Sequence, residues 1–293
     1  MPEPYMPKNY YLTKDSSDQA PLLSYARYVE PLSMNIVLIP DPFSLSDYWQ
    51  SNAKEVKSAN REISWYSKEN KAFWRGDLTD IDMVLDDFEK VDYLKCPRYI
   101  LTKMGLQNSL LFNVGFAWGS TKIIENLMKK ENLLKGKATK QEHLHYKYLP
   151  VLDGHMCTYP GYQWRLLSNS LVFKQTSNQE QWFYSALKPY VHYVPVKNDM
   201  SDLEEKVNWA IEKDHKAQEI SRNAQKFANE NLLMEDDYLY LFWVFQKYAS
   251  MQDIDIPKMK KETKQDGNWV NIKYRKRVQL IHSLKKKFSF FKK

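Results

Sequence analysis

The sequence predicts an α/β protein whose strands pair into doubly wound parallel sheets. Two patterns carry that expectation: short apolar runs that stop abruptly at polar or Gly/Pro residues, and amphipathic helical stretches lying between and after them. A third observation concerns size. The 293 residues, 43% of them hydrophobic and including 9 Trp, 20 Tyr and 13 Phe, hold enough apolar area to bury one large core or two modest ones.

The strand-like runs come in order. Ile36 to Ile39 ends at Pro40-Asp41, and Tyr148 to Leu152 ends at Asp153-Gly154. Leu171 to Phe173 ends at Lys174, and Tyr190 to Val196 ends at Lys197. Each is short and continuously apolar, as a strand buried on both faces should be. Asp47 to Ile63 reads as a helix. Ser201 and Glu204 have capping-box spacing, and Leu203, Val207, Ile211, Ile220, Ala224 and Phe227 then mark one face of a helix expected to run to about Ala228. A further helix is expected near Asp236-Asp237, where two acids suit a positive helix N-terminus and Tyr238, Leu241, Phe242, Phe245 and Tyr248 follow at helical spacing. Parallel sheets of this kind place their ligands at the C-terminal ends of the strands.

Charge is unevenly distributed. The whole chain carries +7, but Lys258 to Lys293 holds 13 Lys/Arg against Glu262 and Asp266, giving +11, while the remaining residues hold 30 basic and 34 acidic ones, giving −4. The basicity is a property of the tail, where bases alternate with Trp269, Tyr274, Val278, Leu280, Ile281, Phe288, Phe290 and Phe291. That pattern fits a segment lying on an anionic membrane surface; the bland alternative is a solvated tail. The acidic body offers no extended basic face for nucleic acid. No run approaches the roughly 18 apolar residues of a spanning helix, and Cys96 and Cys157 match no zinc or redox spacing. A cytoplasmic location, peripheral at the inner membrane face, is the expectation.

Several segments carry candidate chemistry. Lys71-Ala-Phe-Trp-Arg-Gly76 sets Arg75 beside Gly76, so that a backbone could approach a phosphate or ribose while a guanidinium neutralises charge; the alternative is a buried Phe-Trp edge with a surface arginine. Asp153-Gly154 stands just past a strand, with Gly161, Tyr162 and Arg165 on a loop entering a helix, a setting suited to pyrophosphate. A plain strand-to-helix turn is the competing account. Lys174 is placed at a strand end to meet an anion, and Glu180 could offer a carboxylate to sugar hydroxyls; Phe183 beside it is expected in the core. No dinucleotide or P-loop fingerprint is present. His143 and His145, two apart, do not make a shared helical metal face, and no metal or cofactor is expected. Asp77, Asp80, Asp82, Asp86 and Asp87 read as a solvated acidic face rather than a calcium loop.

Taken in order, ten short motifs resemble glycosyltransferase family 90. They are Ala20-Pro-Leu-Leu-Ser-Tyr-Ala-Arg27, Leu38-Ile-Pro-Asp41, Ala72-Phe-Trp-Arg-Gly76, His145-Tyr-Lys-Tyr-Leu149, Asp153-Gly154, Leu167-Ser-Asn-Ser-Leu-Val-Phe-Lys174, Trp182-Phe-Tyr184, His192-Tyr-Val-Pro-Val196, Asp202-Leu203 and Asp236-Asp237. The resemblance covers roughly residues 20 to 250 and is nearest to the family's bacterial, lipopolysaccharide-modifying branch. It implies a GT-B-like architecture: a partial N-terminal, acceptor-side region over 1–66, a Rossmann-like donor-binding domain with a closing helix over 67–250, and a basic tail over 251–293.

The resemblance further implies a metal-independent, inverting hexosyl- or pentosyltransferase that moves a sugar from a UDP-sugar to a glycan or lipid-linked glycan acceptor. Arg75 and Gly76 then face the diphosphate, Asp153-Gly154 form the turn beside the nucleotide, and Lys174 adds charge. Many relatives carry an arginine where this chain has Gly161, and Arg165 is expected to serve from the next turn. The family's catalytic Asp lies upstream of the segment matched by Ala20 to Arg27. Asp15, Asp18 and Glu3 follow no apolar strand, so no base is assigned, and the segment that bears it is expected to precede Met1. A non-catalytic nucleotide-sugar-binding module is the second reading.

Overall fold

The computed structural model describes residues 22–29, 36–79, 92–251 and 255–265. The chain divides into one compact unit ending at Val244 and a second from Phe245 onward, which contains helix Ile256–Gln265. Of the acidic residues after Gly76, Asp80, Asp82, Asp86 and Asp87 lie outside the described residues, as does the tail from residue 266.

The first unit is organised by one five-stranded sheet. Its strands are β4 (Glu69–Gly76), β5 (Phe112–Phe116), β6 (Tyr146–Val151), β7 (Leu171–Gln175) and β9 (Val194–Val196), all parallel, in the spatial order β5-β4-β6-β7-β9. The chain steps from β4 outward to β5, then returns past β4 to begin β6 on the other side. That reversal makes the C-terminal ends of β4 and β6 the topological switch point, where open α/β sheets have the crevice that binds ligands. The expected α/β class is therefore present, and three of the four runs read from sequence fall on β6, β7 and β9.

Both faces of the sheet are covered, which explains why its strands lack polar alternation. Ala72, Trp74, Tyr148, Leu152, Leu171 and Phe173 face one core, against helices α2 (Pro97–Gln107), α3 (Lys122–Lys130) and α6 (Leu203–Glu212). Phe73, Leu149, Val151 and Val172 face the other, with Trp49, Val56 and Ala59 of α1 (Asp47–Glu62) and Tyr162, Leu166 and Leu167 of α5 (Gly161–Leu167). Helix α1, in the region expected to be acceptor-side, thus shares a core with the sheet.

Two small ribbons flank the main sheet. β1 (Leu22–Ser24) pairs in parallel with β3 (Ile36–Leu38), the fourth expected run. β2 (Arg27–Tyr28) pairs antiparallel with β8 (Gln179–Glu180), and Arg27 donates to the Glu180 carboxylate at 2.6 Å. The carboxylate of Glu180, expected to meet sugar hydroxyls, is held by that arginine.

The helix expected from Ser201 to Ala228 is two helices. α6 starts after Asp202, not at a Ser201 capping box: the Asp202 carboxylate accepts from Lys197 N at 2.9 Å and pairs with Lys206 at 2.6 Å. The chain breaks at Lys213, and α7 (Asp214–Asn231) begins with Asp214 tied to Trp65 Nε1 at 3.0 Å and Lys147 at 2.7 Å. Long-range partners for one carboxylate override continuous helical periodicity. Helix α8 (Met234–Ser250) starts where the Asp236-Asp237 pair predicts.

At the opposite, N-terminal edge of the sheet, Lys68 is only 5% exposed and donates to Leu144 O at 2.5 Å and Ser170 Oγ at 2.8 Å. Burial lowers its pKa to about 7. Because the folded value lies below the unfolded one, the folded state binds fewer protons between about pH 7 and 10, so stability rises with pH across that window and the penalty is complete below it. Lys68→Met should flatten this rise, worth a few kcal/mol at most, in urea denaturation followed from pH 6 to 10; a parallel pH profile for both proteins would refute the assignment.

Candidate functional site

At the crevice, β4 runs out through Gly76 into Asp77-Leu78-Thr79, and β6 through Val151 into Leu152-Asp153-Gly154. Arg98, in the first turn of α2, spans the two. Its Nη1 donates to Asp77 O at 3.1 Å and Thr79 Oγ1 at 2.6 Å, its Nη2 to Leu152 O at 3.1 Å and its Nε to Asp153 O at 3.0 Å. Only the planar five-donor fork of arginine can serve four acceptors on two segments at once. The side chain also lies 5.7 Å from the Trp74 ring centre. A Cβ on Gly154 would stand 2.5 Å from Thr79 Oγ1 and 2.9 Å from Arg98 Nη2, so this junction closes only around glycine.

Sequence reasoning missed Arg98. Its only local signal is Pro97, which marks a first helical turn; nothing in the sequence says that this turn meets the ends of β4 and β6.

Asp153 and Lys174 are brought together as a buried ion pair, their side chains 5% and 6% exposed, with Nζ at 3.1 Å and 3.0 Å from the two carboxylate oxygens. The third ammonium donor goes to Gln175 O at 3.0 Å. The carboxylate also accepts from Ser177 Oγ at 2.5 Å and Thr158 N at 3.2 Å, while Asp153 N donates to Gln175 Oε1 at 2.8 Å. Lys174 is thus neutralised where it stands rather than presented as open charge. Burial, aided by the Asp153 charge, pushes the nearby Cys157 thiol up to about 12, which keeps it unreactive.

Arg165 is different. It is 6% exposed, its Nη1 donates to Gly161 O at 3.0 Å, and its guanidinium stacks 4.2 Å from the Trp164 ring centre. Its Nε has no hydrogen-bond partner, and no carboxylate among the described residues forms an ion pair with it. Burial, and secondly the charge of Arg98, lowers its pKa to about 9, which still leaves it protonated at neutral pH. The side chain reaches back one turn to Gly161, the position where relatives were expected to carry arginine. A Cβ there would stand 3.1 Å from Nη1 and 2.5 Å from Thr158 Cγ2.

The remaining candidates stand apart from this group. Arg75 folds back over Phe73, 4.4 Å from its ring centre, and donates to Asn113 O at 2.9 Å and Asn113 Oδ1 at 2.8 Å. Its guanidinium is not brought to Asp153 or Arg165. Gly76 makes room for the Trp74 ring, which a Cβ would approach to 2.4 Å. Tyr162 is buried among Phe183, Tyr184 and Tyr193. Asp77, expected on a solvated face, is buried instead, its carboxyl accepting from Leu78 N at 2.8 Å. Phe183 is in the core as expected. Burial and the Arg165 and Arg75 charges push His143 down to about 3, and its Nδ1 meets Thr139 O at 2.7 Å, so it is a neutral packed imidazole.

Fold and site together define an α/β protein with a parallel doubly wound sheet whose topological switch point is furnished with two guanidinium groups and a buried ion pair. The chain belongs to glycosyl transferase family 90, whose profile matches residues 4–289. Human protein O-glucosyltransferase 3 is 35% identical over 194 residues, 66% of this chain and 34% of that protein. Danio rerio protein O-glucosyltransferase 2 is 31% identical over 188 residues, 64% of this chain and 34% of that protein. Rattus norvegicus protein O-glucosyltransferase 1 is 26% identical, over 72% of this chain and 50% of that one. The chain spans about a third of the length of the first two relatives. Among solved structures, Anabaena HepE in complex with UDP aligns with a TM-score of 0.45 at 12% identity, over 73% of this chain and 58% of that one.

The ion pair makes a direct prediction. Asp153→Asn leaves the Lys174 ammonium buried without its counter-charge and should cost about 3–5 kcal/mol, whereas the apolar pair Asp153→Leu with Lys174→Met should recover most of that loss in urea denaturation. A double variant no better than the single one would show that hydrogen bonding, not charge, holds the junction.

Proposed function

We propose that this chain binds a UDP-sugar in the β4/β6 crevice and forms the donor-binding portion of an inverting, metal-independent GT-B glycosyltransferase. The observation that carries the reading is Arg165: a charged group 6% exposed, with an unpartnered Nε and no counter-carboxylate among the described residues. An isolated buried charge is costly, and a ligand diphosphate would supply both the missing charge and the missing acceptor. Diphosphate leaves well only when its developing negative charge is stabilised, which without a metal falls to guanidinium and ammonium groups and backbone N–H donors. On this reading Arg165 meets the diphosphate directly. Arg98 and the Asp153–Lys174 pair hold the two strand-end segments at a fixed separation, and Gly76, Gly154 and Gly161 allow close approach. Arg75 would have to leave Asn113 to reach the ligand.

The acceptor reading rests on likeness rather than on the site. Leu38-Ile-Pro-Asp41, Ser168-Asn-Ser170 and the lack of the cysteines expected of luminal members favour a lipopolysaccharide-type surface-glycan precursor, handled at the inner membrane face by a peripheral protein. No helix among the described residues is long and apolar enough to cross a membrane. A second reading, a binding module without turnover, is kept apart by experiment, because donor binding and sugar transfer are separately measurable.

UDP and UDP-glucose at millimolar concentration should raise the melting temperature; at 100 times Kd the stabilisation is about 2.7 kcal/mol. Arg165→Met should raise the melting temperature of the ligand-free protein by removing an unpaired buried charge, and should abolish the response to UDP while leaving any response to uridine. If neither UDP nor any UDP-sugar shifts the wild-type protein, the donor reading falls. Binding with no release of UDP from any UDP-sugar would instead favour the non-catalytic module.

A further inference from the structure

On α8, Leu239, Phe242 and Trp243 are 55%, 52% and 58% exposed, and helical spacing sets them opposite the buried Asp237. Glu235, one turn before Leu239 on that outward side, borders a groove of about 420 Å³ between α8 and α1. The floor of the groove is apolar, with Trp49, Leu233 and Met234, and its α1 wall carries Lys54, Lys57 and Arg61. These three cations recur at helical spacing, and none forms an ion pair among the described residues. Nearby but outside the lining, Glu55 pairs with Lys140 at 3.2 Å and Asp236 accepts from Leu233 N at 2.9 Å; among the residues that line the groove, Glu235 is the one carboxylate facing the three cations.

We propose that this α1/α8 face is a docking surface for an anionic lipid bilayer, with Leu239, Phe242 and Trp243 entering the interfacial layer and Lys54, Lys57 and Arg61 meeting lipid phosphates. Three features converge on that occupant. Large apolar residues cluster outward, where a soluble face seldom groups them. Tryptophan and phenylalanine are side chains suited to the headgroup boundary. The groove that continues this face toward α1 is lined by three cations against one carboxylate, which matches a negatively charged surface better than a neutral or basic partner. The apolar floor would also accept the first carbons of a lipid whose phosphate sits among the cations. This surface is built from α1 and α8 and is separate in sequence from residues 258–293. Its biological purpose rests on the lipid-linked acceptor of the proposed function; the binding itself does not.

The test is co-sedimentation of the full chain with vesicles of phosphatidylcholine alone or mixed equally with phosphatidylglycerol. The wild-type protein should sediment with the anionic vesicles and far less with the neutral ones. The pair Lys54→Glu with Lys57→Glu should weaken the anionic partition at least about tenfold, since each cation near such a surface contributes about fivefold. Phe242→Ser with Trp243→Ser should weaken it comparably, whereas Leu110→Ser, at a still more exposed leucine in the α2–β5 turn, should leave it unchanged. Melting temperature and the UDP response, measured in parallel, should be unaltered in all three, which separates failure of this surface from failure of the donor site. Variants that sediment like wild type would overturn the proposal and place any membrane contact elsewhere in the chain. So would a wild-type protein that ignores anionic vesicles, or one that forms a dimer lost in the Phe242/Trp243 variant, which would make a second copy the occupant.

Discussion

The gap between the ends of β4 and β6 is where the order of the sheet reverses, and Arg98 bridges it. Two parallel strands leaving a sheet in adjacent positions have no further ladder hydrogen bonds to offer one another, so the carbonyls of Asp77, Leu152 and Asp153 need donors from elsewhere. One guanidinium supplies all three and also reaches Thr79 Oγ1. Everything else at the crevice follows from that spacing. Gly154 must lack a side chain because Arg98 and Thr79 already fill the space, Asp153 is turned inward to meet Lys174, and Cys157 and Thr158 are drawn into the same buried corner.

The charges at the two edges of the sheet are handled in contrasting ways. At the N-terminal edge, Lys68 meets only neutral acceptors, Leu144 O and Ser170 Oγ, and burial brings it close to losing its proton at neutral pH. At the C-terminal edge, Lys174 keeps a carboxylate against all of its burial and a full set of hydrogen bonds. A lysine can respond to desolvation by deprotonating, but an arginine holds its charge far more stubbornly. The edge at which open α/β sheets place their ligands is accordingly the edge that carries arginine.

Much of the architecture was legible locally. Continuous apolar runs marked β3, β6, β7 and β9, the acids at Asp236-Asp237 marked the start of α8, and the spacing over Asp47 to Ile63 marked α1. What escaped detection depended on partners distant in sequence. Asp214 ends one helix and begins another because Trp65 and Lys147 claim its carboxylate, a fact absent from the periodicity of residues 203–228. Arg75 was conspicuous beside Gly76, yet its partner Asn113 lies on the neighbouring strand and turns it from the crevice. Arg98 had nothing around it to distinguish it from other surface bases. Lys174 and Asp153 were both singled out, but as separate contributors of charge; only the register of β6 with β7, which pairs Val151 with Lys174, brings them together and cancels them.

Two buried ionisable groups in this chain illustrate how a pKa must be combined with acid type before it indicates a site. Asp237 is fully buried near Asp41, and desolvation followed by that neighbouring carboxyl pushes it up to about 9. Arg165 is buried to a similar degree, and desolvation followed by Arg98 brings it down to about 9. At neutral pH the same value gives opposite outcomes, because an acid below its pKa is neutral and a base below its pKa is charged. Asp237 answers its burial by keeping a proton, and stands near Asp41 and Gln163 as an uncharged carboxyl. Arg165 keeps its charge: it donates to Gly161 O and stacks on Trp164, but among the described residues its Nε donor is unfilled and it has no counter-ion. On the proposed reading that charge awaits an anion, and the position of Arg165 beside Gly161, in the helix that follows β6, sets where the anion would bind.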